Sequence, residues 1–119
     1  MNTIDCSPIV LVLARWRFQI KEIFMDIKDA FAAALKQVRN ARGLTQEAFS
    51  EVSSRTYVST LERGLKSPTL EKINDLSNAM SIHPLTLLAL TYLIESSGND
   101  SNELLAKVKS ELSNLIRPG

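Results

Sequence analysis

A single cysteine, Cys6, and a single histidine, His83, are all the chain has of the residue types that most often bind transition metals. An internal disulfide is therefore impossible, and a cysteine-built zinc site has too few ligands. No paired carboxylates, nucleophile–histidine arrangement or phosphate-cradling glycine loop can be assembled, so neither enzymatic chemistry nor a cofactor is expected. The four glycines and four prolines fall between periodic segments rather than inside them, which leaves helices joined by short turns. Net charge is only +1, so no bulk basic character announces nucleic acid, and such a role rests on where the charges sit. The apolar run Ile9-Val10-Leu11-Val12-Leu13-Ala14 is far too short to span a bilayer. Arg15, Arg17 and Lys21 follow it instead of preceding it, unlike a signal peptide. These absences fit a cytoplasmic protein with no membrane association and no evident small-molecule ligand.

What is present is enough for a core: 45% of the 119 residues are hydrophobic and 23% charged, one domain's worth of chain. Residues 1–24 differ in texture, holding Cys6 and the only tryptophan, Trp16. Two readings of them stand. They are an extension upstream of a true start at Met25, or an arm that packs on the domain or a partner and carries its basic residues towards DNA. The domain itself is expected over 25–95, a linker over 96–101, and a C-terminal amphipathic helix over 102–119.

Ile27, Phe31, Leu35 and Val38 recur every three or four residues and predict a helix from Asp26 to Arg42. Asp26 and Asp29 suit its positive end, Arg39 and Arg42 its negative end, and Gly43 closes it. Thr45 is placed to cap a short helix with Ala48, Phe49 and Val52 inward. Ser54 is placed to cap another, Arg55 to Arg63, with Val58 and Leu61 inward and Gly64 at its end. Thr69 opens a helix that turns Leu70, Ile73, Leu76 and Met80 inward, and a further one runs from Leu85 to about Ile94. His83, in the turn between them, reads as loop filler or a cap. Leu105, Val108, Leu112 and Leu115 make a short heptad seam, either packed back on the domain or half of a dimer interface. The helix before it is also more leucine-rich than one small domain buries, which points to a homodimer joined through these last two helices.

The two short helices after Gly43 carry the functional signal. Neither is stable alone, and a tight pair crossing steeply makes a protrusion that fits a DNA major groove. With Val58 and Leu61 inward, the outward set is Arg55, Thr56, Tyr57, Ser59, Thr60 and Arg63. Arginine forks onto guanine, and threonine methyls and tyrosine rings meet the thymine methyl. A merely solvated face would more often carry Glu and Lys, whereas Glu62 turns back towards the domain.

Gly43-Leu44-Thr45-Gln46-Glu47, the run from Ser54 to Gly64 (Ser-Arg-Thr-Tyr-Val-Ser-Thr-Leu-Glu-Arg-Gly) and Ser67-Pro68-Thr69-Leu70 stand in that order. Together they resemble the lambda-repressor-like, Cro/xenobiotic-response-element (XRE) type of helix-turn-helix domain over about residues 27–92. Controller proteins of restriction–modification systems are among the closer-looking members. The resemblance implies an all-α, five-helix DNA-binding domain, here with an additional C-terminal helix. It implies a sequence-specific transcriptional regulator of double-stranded DNA, in its simplest form a dimeric repressor. It also implies backbone contact and bracing by Gln46, base and phosphate contacts by Arg55, Thr56, Tyr57, Ser59 and Thr60, and an Arg39–Glu62 salt bridge. Lys66 and Ser67 match a phosphate-touching loop; Arg63 and Arg42 are further candidate phosphate anchors. An antitoxin or phage-type regulator with a protein partner, or a helix-turn-helix used only for protein–protein interaction, remain as alternatives. One departure stands out: the stretch Val52-Ser53-Ser54-Arg55 is two residues shorter than the family's usual connection and lacks its glycine. Either the first short helix loses half a turn or the turn tightens.

Overall fold

A side-chain oxygen opens four of the helices. Asp26, Ser54, Thr69 and Asp100 accept from the backbone N–H of Lys28, Tyr57, Lys72 and Asn102 respectively, satisfying donors that a first helical turn leaves unpaired. The computed structural model describes residues 25–96 and 100–116, and every regular element among them is helical. In chain order these are α1 (Ile27–Ala41), a 3-10 helix (Gln46–Phe49), α2 (Arg55–Glu62), α3 (Leu70–Ala79), α4 (Pro84–Ser96) and α5 (Ser101–Leu115). Expectations about Cys6, Trp16, the apolar run and the basic residues of 1–24 lie outside the described residues.

Helix α1 runs against α4 and is crossed by α2, while the 3-10 helix sits between α2 and α3. Their shared core is built from Phe31, Ala34 and Leu35 of α1, Phe49 of the 3-10 helix, Val58 and Leu61 of α2, Ile73 and Leu76 of α3, Met80 just beyond it, and Leu87 of α4. Ala30 and Ala34 are fully buried; with no bulk beyond Cβ, they let α1 lie close to its neighbours. His83 caps α4, its Nδ1 accepting from the Leu85 N–H at 3.0 Å.

Three expectations need correction. The short helix after Thr45 is a single 3-10 turn; Thr45 makes no side-chain cap bond, and Ala48 is exposed. The chain must be extended again by Ser54 to start α2, which leaves no room for a second turn. Leu70 is 80% exposed, because it stands at the first residue of α3 and reaches no neighbour across the core. Ile27, at the first residue of α1, is likewise exposed.

Helices α1 and α2 end alike. Gly43 and Gly64 have φ of 70° and 74°, and the N–H of the next residue reaches back to Arg39 O and Thr60 O, the Schellman pattern that favours glycine. Their surroundings differ: a Cβ on Gly43 meets nothing, whereas one on Gly64 runs into the Asp29 carboxylate. Gly43→Ala should therefore cost about 1 kcal/mol from the left-handed backbone alone. Gly64→Ala should cost about 2 kcal/mol, since Asp29 must also move. Urea unfolding of the two variants checks this; equal losses would mean that Asp29 yields freely.

Helix α5 differs from the rest. None of its residues is buried, and its main contact among the described residues is with α4. Leu85, Leu88, Ala89 and Tyr92 meet Leu104, Leu105 and Val108 across a small apolar cavity of about 210 Å³. No helix among the described residues is long and apolar enough to cross a membrane.

Candidate nucleic-acid interface

Ser54 sets the site's geometry. Its extended backbone breaks the chain away from the 3-10 helix, and its hydroxyl fixes the first turn of α2 through Tyr57 N at 3.0 Å. Arg55 and Thr56 then emerge into solvent, with Val58 and Leu61 anchoring the opposite face in the core. Gln46, Arg55, Thr56 and Ser59 line one open depression of about 240 Å³ between the 3-10 helix and α2. Four of the residues singled out in the sequence thus converge.

The others are spread around them. Arg63 is exposed at the end of α2, its Nε 3.4 Å from Ser59 O, and Lys66 is exposed in the loop that follows. Thr60 is half-buried and donates its hydroxyl to Thr56 O at 2.8 Å, so its donor is used inside the helix. Tyr57 corrects the outward reading: it is half-buried and packs against the core. Only part of its ring remains to meet a ligand. Arg42 points elsewhere, its Nη2 lying 3.4 Å from Ser81 O.

Beneath α2 lies a charged brace. Arg39 Nε and Nη2 donate to the two oxygens of Glu62 at 2.6 and 3.0 Å, and Arg39 Nη1 donates to Leu44 O at 2.8 Å. Gln46 Nε2 donates to Glu62 Oε1 at 3.0 Å. Glu62 therefore ties α2 to α1 and to the start of the 3-10 helix at once. The hydrogen bond to Glu62 holds the Arg39 guanidinium above its ordinary pKa range, against the opposing effect of burial. On the rim, Arg55 Nη1 sits 3.6 Å from Glu47 Oε2.

The arrangement is a short, braced helix offering arginine, threonine and serine on its outer side, with hydrogen-bonding groups that suit base edges and phosphate oxygens. A helix-turn-helix family model matches residues 35–87. The chain is 34% identical over 77 residues to Control protein C.SmaI of Serratia marcescens, covering 63% of this chain and 92% of that protein. It is 33% identical over 69 residues to Control protein C.BamHI of Bacillus amyloliquefaciens (56% and 85%). It is 32% identical over 69 residues to an HTH-type transcriptional regulator, y4dJ, of Sinorhizobium fredii (56% and 90%). The chain belongs to the helix-turn-helix family. No solved structure matches it significantly.

Within this helix-turn-helix unit the first helix is the 3-10 helix and the second is α2. The matched segment ends inside α4, so α5 lies beyond it. One further side chain bears on the unit without having been signalled by the sequence. Lys72 of α3 donates to Val52 O in the turn, with its ammonium 5.6 Å from the centre of the Tyr57 ring. In the sequence it is one more lysine on a polar face, and no spacing rule marks it.

Proposed function

We propose that this helix-turn-helix protein is a sequence-specific transcriptional regulator that binds double-stranded DNA as a homodimer. We read its domain as the lambda-repressor-like, XRE type, working in the cytoplasm as a repressor that occupies a promoter, without catalysis. The observation that carries the reading is the convergence of Gln46, Arg55, Thr56 and Ser59 on the outer side of a helix braced from below by Glu62. Similarity to proteins named as control proteins and as a transcriptional regulator supports it.

Exposed apolar surface supports the dimer. Leu85 and Tyr92 of α4 and Leu105, Val108, Leu112 and Leu115 of α5 all stand in water. A helix as short as α5, with no buried residue, also needs cover to be stable in water.

Selection from a random pool of DNA duplexes tests the reading. A two-fold symmetric motif should emerge, its half-sites about one helical turn, roughly 34 Å, apart. Affinity for it should fall steeply with salt as phosphate contacts are screened. Failure to enrich any motif, with binding flat in salt, would leave only a protein-interaction role. For the dimer, a chain ending at Ser96 should sediment as a monomer; an undiminished dimer would remove α5 from the interface.

A further inference from the structure

We propose that Lys72 is a positioning residue for α2, clamping the turn before it to the first turn of that helix. This rests on the DNA-binding reading above and goes beyond it in saying what sets the tilt of the reading helix. After the 3-10 helix, the Val52 and Ser53 N–H groups both bond the Phe49 carbonyl. The chain then extends into Ser54. Among the described residues, the half-buried Val52 carbonyl accepts only from Lys72 Nζ. The bond ties the turn to α3 and so fixes where the turn sits.

Lys72 is well placed to act as a fixed point. Its own backbone N–H is held by Thr69 Oγ1 at 3.1 Å in the first turn of α3, and α3 is anchored in the core by Ile73 and Leu76. From that base one ammonium reaches both the end of the turn and the Tyr57 ring, which attracts it through its electron-rich face. Helix α2 is therefore held at both ends: by Arg39 and Gln46 through Glu62 at its C-terminal end, and by Lys72 through Val52 and Tyr57 at its start. Arg55 and Thr56 lie between Ser54 and Tyr57, so a swing of that first turn displaces both. Base-edge hydrogen bonds need that registry, whereas phosphate contacts tolerate its loss.

The test uses the full chain, the DNA motif recovered by selection and a random duplex of equal length. Lys72→Met should weaken binding to the motif about tenfold, the smaller end of what one bidentate base contact is worth. Binding to the random duplex should change less than about twofold and the salt slope should stay the same. Lys72→Arg, which keeps a cationic donor, should recover most of the loss. Should the Met variant melt below the assay temperature, Lys72→Gln takes its place with the same split expected. Equal losses on both duplexes would overturn the proposal, reducing Lys72 to general stability. The same losses with a salt slope lower by about one would instead make it a phosphate contact. Unchanged binding to the motif would sink the role of Lys72 alone, while a wild-type chain that selects no DNA would sink the regulator reading and this one with it.

Discussion

Arg39→Ala is expected to remove about 3 kcal/mol of stability, the lower end of the loss when one partner of a buried ion pair is deleted, because this pair is part-buried. The Glu62 side chain is 3% exposed and that of Arg39 12%, so the pair is sheltered from water. Without the guanidinium, the Glu62 carboxylate keeps only the Gln46 amide, and Leu44 O loses its side-chain donor. For a small domain whose total stability is typically about 5–15 kcal/mol, such a loss brings unfolding within reach of ordinary temperatures. Arg39→Lys should fall between, because a point charge cannot bond both carboxylate oxygens and a carbonyl in one plane. Arg39→Met combined with Glu62→Leu should recover much of the loss, since it leaves no unpaired charge. Urea midpoints decide this; a loss under about 1 kcal/mol for Arg39→Ala would mean that water reaches Glu62 and the pair behaves as a surface one. A raised folded pKa stabilises fully below the unfolded value and is lost only as pH climbs through the folded one. The share owed to Arg39 should therefore be constant through the neutral range.

The sequence signals that translated well are those with a local cause. Ser54 and Thr69 open helices because a short oxygen-bearing side chain can take up an unpaired N–H of the first turn, whereas Thr45, before a single 3-10 turn, makes no such bond. Gly43 and Gly64 close helices because only they take the left-handed backbone there without strain. Periodicity failed at helix ends: Ile27 and Leu70 lie on the right stripe yet past the rim of the core, since a period gives direction and not depth. The 3-10 turn was foreshadowed only as a missing pair of residues, and its conformation depended on where Ser54 had to begin α2. The spacing along α2 turns Tyr57 outward, but its exposure follows from the tilt of α2, a property of the packed domain. Lys72 was invisible for a related reason. Its partner is a backbone carbonyl twenty positions earlier in the chain, a type of contact that leaves no mark on residue type at either end.

Tilt is also what gives Arg55 its weight. Arg55→Ala should weaken binding to the selected motif by about 1–3 kcal/mol, or roughly 5- to 150-fold, the value of one bidentate contact to guanine. Binding to a random duplex should fall far less, with the salt slope reduced by at most about one. Arg55 is the first residue of α2, directly after its cap, and its side chain is 67% exposed. Its nearest charged partner, Glu47 at 3.6 Å, is 70% exposed. A pair so open to solvent contributes little, so releasing the guanidinium to a base edge costs little in return. Glu47 also repels phosphate, so a duplex offering no base partner gains less from the neighbouring cation. Glu47→Gln should accordingly tighten random binding more than motif binding and narrow the ratio between them. Arg55→Lys separates the two contributions: it keeps the charge and loses the planar fork, so random binding should persist while discrimination drops. Equal losses on motif and random duplexes with Arg55→Ala would place this side chain on phosphate, and base reading would then pass to Thr56 and Ser59 in the same depression.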